Sequence, residues 1–296
     1  MMVEGKTKIV ERTETPGEVA LITKDSLTGG DAAKREHIEG IAAHKVTQAC
    51  NVFKLLDARG VPTAFIRRHD DRSMVCHECE MLPLELVTRR YAWGSVLKRE
   101  PGLVSTREQP HRFDELRTEL FHKHAVVTPP LVERPTQVAE DRARELYLRD
   151  GAWHEAVFTD PLVRVREGRW ALHSAKAPLD RSPALMEIPP VLSPDELRVV
   201  LEGLMKPVFS ILEEAWAGIE TVDGPVALAD LKIEAGRRVS DGALVVADVI
   251  DNDSWRIWPG ANPSKQLDKQ LFREGVAPLS AVSETYALVA SLTERF

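Results

Sequence analysis

The stretch from Val226 to Ile250 leaves the chain few choices. In Val226 to Glu234, the residues Asp230, Lys232 and Glu234 lie two apart. On a strand they share one face, with Leu231 and Ile233 on the other. Asp241-Gly242 is a strong tight-turn dipeptide, and Ala243 to Ile250 supplies a returning strand. Counting back from the turn sets Asp248 opposite Glu234, or one residue from it. Two carboxylates facing each other across a hairpin repel unless something compensates. The compensation is either water or a lysine, or a hard divalent cation that bridges to phosphate. Magnesium suits the second arrangement, because it takes one or two carboxylates and completes its shell with water and phosphate oxygens. Asp251-Asn252-Asp253 follows at the strand end. It reads as a polar turn or as a carrier of functional groups.

The rest of the chain reads as α+β. Val3 to Val10 and Val19 to Thr23 are strand-like, separated by Thr15-Pro16-Gly17. A helix is expected from Ala32 to Arg59, with Ile38, Ile41, Ala42, Ala49, Val52, Phe53 and Leu56 as its buried stripe and Gly60 as its stop. Val61 to Ile66 and Met74 to Val87 return as strands. Pro101 to Pro190, rich in proline and polar residues, reads as long loops with one helical patch near Ala139 to Leu148. Ser193-Pro194-Asp195-Glu196 is a helix start, with serine as cap, proline at the first position and glutamate completing a capping box. That helix runs to Trp216 and stops at Gly218.

With 296 residues, 43% of them hydrophobic, the chain can bury a large core in one domain or two lobes. Its net charge of -7, mixed in sign along the chain, argues against a nucleic-acid binder. No apolar run approaches the roughly 20 residues that span a bilayer, and a cytoplasmic location is expected. Cys76-His77-Glu78-Cys79 has the spacing of a metal or redox pair. It lacks a second ligand pair, so Cys50, Cys76 and Cys79 read as ordinary thiols.

Three further segments offer phosphate-directed chemistry. Glu4-Gly5-Lys6-Thr7-Lys8 puts two lysines on one face of an early strand, beside a glycine that lets a ligand approach the backbone. Arg89-Arg90 precedes a Gly94-Ser95 step, and arginine grips phosphate with two parallel donors. Arg256 lies just past the hairpin acids. Solvated surface charge explains each of these equally well when taken alone.

Together these segments resemble the SAICAR synthetase family. The resemblance rests on Glu4 to Lys8, Leu27 to Asp31, Glu80 to Glu85, Arg89 to Lys98, Asp230 to Glu234 and Val246 to Pro259, with Asp268-Lys269 and Phe272-Arg273 in the tail. It implies a two-lobed fold related to ATP-grasp enzymes, with ATP between an N-terminal lobe (residues 1–82) and a C-terminal lobe (83–296). It also implies an ATP- and Mg2+-dependent ligase that joins aspartate to carboxyaminoimidazole ribonucleotide in purine synthesis. By resemblance, Lys6 and Lys8 meet the ATP phosphates, and the backbone of Glu80, Met81 and Leu82 holds adenine. Glu234 and Asp248 hold magnesium. Arg89, Ser95 and Arg256 grip the ribonucleotide phosphate, while Lys232 and Glu85 approach the substrate head. Asp230, Lys269 and Arg273 complete the substrate set.

The chain departs from the family pattern between about 105 and 190. The family carries an acid-rich loop after its middle Pro-Pro segment. Here Thr128 to Glu133 resembles the lead-in, and Asp150 and Asp160-Pro161 are the best remnants of the loop. Two alternatives to the purine reaction follow: a paralogous ligase acting on a related heterocyclic carboxylate, and a small-molecule kinase. The partners in every case are small molecules, and a homo-oligomer is compatible with all of them.

Overall fold

The computed structural model describes residues 2–29, 34–123, 126–127, 144–149, 151–157, 160–180, 184, 186–268 and 278–296. The strand Gly224–Arg238 organises it. This strand is fifteen residues long and pairs antiparallel with Leu84–Tyr91, Trp255–Pro259, Leu244–Ala247 and Cys79–Met81. Through Leu84–Tyr91 the sheet continues to Arg112–His122, Leu162–Arg166, Arg169–His173 and Met186–Ile188; with Glu220–Thr221, which also pairs with the long strand, it has ten strands among the described residues. A second, five-stranded sheet runs in the order Met2–Glu4, Lys8–Arg12, Glu18–Thr23, Ser73–His77, Phe65–Arg68. A short parallel contact joins the two sheets: Ala64 N donates to Val246 O (2.8 Å), and Val246 N to Pro62 O (3.0 Å).

One apolar cluster fills the space between these layers. It runs from Val19, Phe53 and Met74 through Leu84 and Leu86 to Phe209, Leu212 and Ile233. The helix Ile41–Ala58 contributes Val46, Val52, Phe53 and Leu56, which recur at helical spacing. Gly60, at φ 77°, ends this segment as expected. Its start is corrected to Ile41. Lys34–His37 pairs as a strand with Ser26–Gly29, and Gly40, at φ 80°, turns the chain into the helix. The C-terminal helix Leu279–Thr293 lies on this same helix: Gln48 Nε2 donates to Tyr286 O (2.9 Å) and Asn51 Nδ2 to Thr293 Oγ1 (3.2 Å). Residue 82 lies where the chain passes from Cys79–Met81 to Leu84–Tyr91, two strands that both pair with Gly224–Arg238.

The described part of the middle region is β-hairpin rather than loop. Arg112–His122 pairs with Leu84–Tyr91, and Leu162–Arg166 turns through Glu167-Gly168 into Arg169–His173. Residues 144–148, expected to be helical, belong to the strand Arg144–Arg149, which pairs with Ala152–Val157 across Gly151 at φ 76°. Residues 139–143 lie outside the described residues. Polarity drew the loop reading, but an edge hairpin needs only one apolar face. Among the described residues, no helix is long and apolar enough to cross a membrane.

The helix start at Ser193 has the expected chemistry. Ser193 Oγ accepts from Glu196 N (3.3 Å), and Glu196 Oε2 accepts from Ser193 N (2.9 Å). Pro194–Arg198 then passes through a seven-residue π-helical stretch, Val199–Met205, into Lys206–Ala217. Arg237 and the capping bonds hold the Glu196 carboxyl down at about 2. A folded-state pKa below the ordinary 4.5 gives stability that is present above 4.5 and lost as pH falls toward about 2. Glu196→Gln is therefore expected to lower the urea midpoint at pH 7. The difference from the parent should shrink steadily between pH 4.5 and about 2. Ser193→Ala should cost about 1 kcal/mol in the same measurement.

Candidate active site

On the strand Gly224–Arg238 the side chains of Asp230, Lys232 and Glu234 leave from one face, as their spacing requires. Across the hairpin, Glu234 stands opposite Ala247, so Asp248 is one residue past the direct partner. Asp248 takes φ 61°, a left-handed conformation that aspartate and asparagine tolerate better than most residues. The strand ends there.

Lysines compensate the carboxylates. Lys232 Nζ reaches Glu234 Oε1 (3.1 Å) and Glu85 Oε1 (3.3 Å). Lys123 pairs with the second oxygen of Glu234, and Lys8 pairs with Asp248. Burial alone would pull the Lys232 ammonium down, but Glu234, Glu85 and Asp248 outweigh it and hold the group firmly charged. Burial likewise opposes ionisation of Asp248. Lys8, with help from Lys232 and Lys123, holds its carboxyl below the usual range. Lys8, Lys123 and Lys232 thus face Glu85, Glu234 and Asp248, and of these Lys8, Lys232 and Asp248 line a cleft together with Thr7, Thr23 and Ser254.

Lys6 and Lys8 do not share a strand face. Gly5 N donates to Lys8 O (2.8 Å), closing a turn between Met2–Glu4 and Lys8–Arg12. Lys6 lies exposed on that turn and Lys8 points into the cleft. In Glu80-Met81-Leu82 the backbone is mostly committed. Leu82 N donates to Ala235 O (2.9 Å), and Gly236 stands opposite Met81. By the alternation of an antiparallel ladder, Glu80 also turns its N–H and C=O to the long strand, which leaves those of Met81 on the outer edge. Gly236 is required here, since a Cβ would sit 2.9 Å from Cys79 Cβ.

A second cluster gathers Arg89, Ser95, Asp230 and Arg256. Arg89 is buried and donates to Asp230 Oδ2 (2.7 Å), Glu119 Oε2 (2.7 Å) and Trp93 O (3.3 Å). Arg256 pairs with the same Asp230 oxygen. Gly94, at φ 70°, lets Arg256 lie against the chain, because a Cβ there would come within 3.0 Å of Arg256 Nη2. Arg256 Nε is buried and has no hydrogen-bond partner among the described residues. Of the adjacent arginines only Arg89 faces this cluster; Arg90 turns away to Glu213 on the helix Lys206–Ala217 (2.6 Å).

Asp251-Asn252-Asp253 forms a buried turn with partners on several elements. Asp251 Oδ1 accepts from Asp253 N (2.8 Å), Trp255 Nε1 donates to Asn252 Oδ1 (2.8 Å), and Lys45 Nζ donates to Asp253 Oδ2 (2.9 Å). Lys269 and Arg273 lie outside the described residues. The sequence reading missed Lys45, Arg99, Glu119 and Lys123. The alternation of Glu115, Arg117 and Glu119 with Leu116 and Leu120 was the available signal for the strand that carries Glu119 and precedes Lys123. The cysteines are ordinary thiols, since burial pushes Cys50 and Cys79 up to about 11 and Cys76 higher still.

A sheet-built cleft holding opposed lysines and carboxylates thus lies beside a cluster of arginines. The SAICAR synthetase family model matches residues 1–145 and 188–288, and the chain belongs to this family. The phosphoribosylaminoimidazole-succinocarboxamide synthase of Chloroflexus aggregans is 35% identical, over 100% of this chain and 96% of that protein. The crystal structure of the Ehrlichia chaffeensis synthase superposes with a TM-score of 0.70 at 23% identity, covering 99% of this chain and 98% of that one. A type-2 SAICAR synthetase in complex with ADP also gives 0.70, at 24% identity over 99% and 97% of the two chains.

Proposed function

We propose that the protein is an ATP-dependent ligase that joins L-aspartate to carboxyaminoimidazole ribonucleotide, releasing SAICAR, ADP and phosphate. The observation that carries this reading is the alternation of three lysines and three carboxylates across the cleft, in a chain of this family. A carboxylate is a poor electrophile because its oxygen leaves badly. In the proposed reaction the substrate carboxylate attacks the γ-phosphorus of ATP and ADP departs. The aspartate amine then attacks the acyl carbon, phosphate leaves with the C–O electrons, and the nitrogen loses its proton.

This chain's residues supply position and charge. Lys8 and Lys123 would exchange their carboxylate partners for the polyphosphate and stabilise its charge, since positioning and electrostatics do most of the work in phosphoryl transfer. Lys6, on the exposed turn, would reach the same phosphates. The outward N–H and C=O of Met81 are the edge groups open to adenine. Lys232 and Glu85 would face the substrate head, and Arg89, Ser95, Asp230 and Arg256 the ribose phosphate, with Lys269 and Arg273 assigned there by resemblance alone.

Glu234 and Asp248 suit Mg2+: both are hard oxygen donors, and each already faces a cationic nitrogen. Bound there, the metal would neutralise charge on the polyphosphate. ATP would lie between an N-terminal lobe (1–82) and a C-terminal lobe (83–296), as in ATP-grasp enzymes. A cytoplasmic location and small-molecule partners go with this reading.

The test is ADP release by the purified protein. Release should require both carboxyaminoimidazole ribonucleotide and aspartate. Release with the nucleotide alone, accompanied by a stable phosphorylated product, would mark a kinase instead.

A further inference from the structure

Glu119 has no part in the chemistry above, yet it ties the arginine cluster together. Its Oε2 accepts from Arg89 Nε (2.7 Å), and its Oε1 pairs with Arg99 Nη2. Arg99 is fully buried, and its Nη1 donates to Ser95 Oγ (2.9 Å) and Ala175 O (3.0 Å). Arg89 continues to Asp230, and Asp230 to Arg256. The chain of contacts is Ser95–Arg99–Glu119–Arg89–Asp230–Arg256. Its two ends come back to one turn of the chain, since Arg256 lies against Gly94, the residue before Ser95. Three guanidiniums face two carboxylates, so one positive charge is left over, and the buried, unpartnered Nε of Arg256 lies at that end.

We propose that Glu119 and Arg99 are positioning residues that fix Ser95 and Arg256 as the two jaws of an anion grip. The inference rests on the reading of Arg89, Ser95 and Arg256 as the phosphate subsite. Neither Glu119 nor Arg99 needs to touch the ligand. Glu119 sets the Arg89 plane, which sets Asp230 and then Arg256. Arg99 orients the Ser95 hydroxyl, since its donation to Oγ leaves the hydroxyl proton to point outward.

Arg99 also anchors a part of the chain that the family model does not match. Residues 146–187 fall between the two matched segments. From that stretch, Leu162–Arg166 pairs with the strand carrying Glu119, Ala175 O accepts from Arg99, and Leu179 N donates to Arg99 O (2.9 Å). This stretch therefore buttresses the grip from behind. Burial opposes the charge on Glu119, but Arg89 and Arg99 overcome it and hold the carboxyl ionised below the usual range.

The test compares the phosphorylated ribonucleotide with its dephosphorylated nucleoside in Glu119→Gln, Arg99→Lys and Arg256→Ala. Glutamine keeps the shape of Glu119 but loses the charge that pairs two guanidiniums. Lysine keeps the charge of Arg99 but cannot serve Glu119, Ser95 and Ala175 at once. Both variants should raise the KM for the ribonucleotide about tenfold or more. They should leave kcat and the KM for ATP within about threefold, and reduce the preference for phosphate over hydroxyl. A general loosening of the fold would move both KM values and kcat together. If Arg256→Ala loses the phosphate preference while Glu119→Gln and Arg99→Lys keep it, the positioning role is wrong and the subsite stands. If Arg256→Ala keeps it, the subsite reading itself fails. Should Glu119→Gln not fold, Arg99→Lys decides by the same criterion.

Discussion

Replacing Asp248 with asparagine is expected to reduce ADP formation by about 10²–10³-fold while the protein stays folded. Asparagine is the informative substitution, because it has the same shape and also tolerates φ 61°. Alanine would mix backbone strain with loss of charge. The change removes the carboxylate that pairs with Lys8 and leaves Lys8, Lys123 and Lys232 with one fewer negative charge among them. The cleft becomes more positive, so ATP without metal should bind at least as tightly as it does to the parent. What should be lost is the gain in affinity on adding Mg2+. Calorimetric titrations of ATP with and without the metal, beside an ADP-release assay and a thermal melt, measure all three quantities. Turnover within a few-fold of the parent would rule Asp248 out as a ligand of the proposed metal site.

The largest stability effect is expected at Lys45. Its ammonium is buried to 2% exposure, pairs with Asp253 and lies close to Asp251. Burial opposes its charge, but Asp253 and Asp251 overcome this and raise its pKa above the ordinary 10.5. A raised pKa means that the stabilisation is complete below 10.5 and is lost only at higher pH. Lys45→Met fills the volume but takes the cation away from the buried Asp251 and the half-buried Asp253. Breaking a buried pair in this way costs about 3–5 kcal/mol, a fall in melting temperature on the order of 10 °C. Burial, with the neighbouring Asp253, already pushes the Asp251 carboxyl up. Acidification should therefore neutralise the stranded acids and narrow the gap between variant and parent. A melt series from pH 8 to pH 4 tests this, and a gap that stays constant across it would show that the lysine acts through packing alone. The C-terminal helix is part of the same unit, because Tyr286 Oη donates to Asp253.

The hairpin and the Ser193 helix start were legible because each depends on neighbours in sequence. Alternation placed Asp230, Lys232 and Glu234 on one face, and the capping box needed only four residues. The middle region misled for a physical reason: an edge hairpin with one wet face has the composition of a loop. That misreading also hid Glu119 and Lys123, which occupy the strand Arg112–His122 and the residue after it. The lysines of Glu4 to Lys8 were found, but their relation was not, since the Gly5 turn sends them in different directions.

What the sequence determined by itself was local: which acids share a strand face, where the turn falls, how the helix at Ser193 is capped, and the ordered motifs by which the chain resembles its family. Only the tertiary structure decided how the charges pair. Lys8, Lys45 and Lys123 are drawn from three separate elements to carboxylates of the hairpin and of the turn beyond it. Arg89 and Arg99 meet on Glu119 because the strand Leu84–Tyr91, the helix Ser95–Arg99 and the strand Arg112–His122 pack together. Ion pairing depends on distances of a few ångströms between side chains that can be a hundred or more residues apart, and folding alone sets those distances.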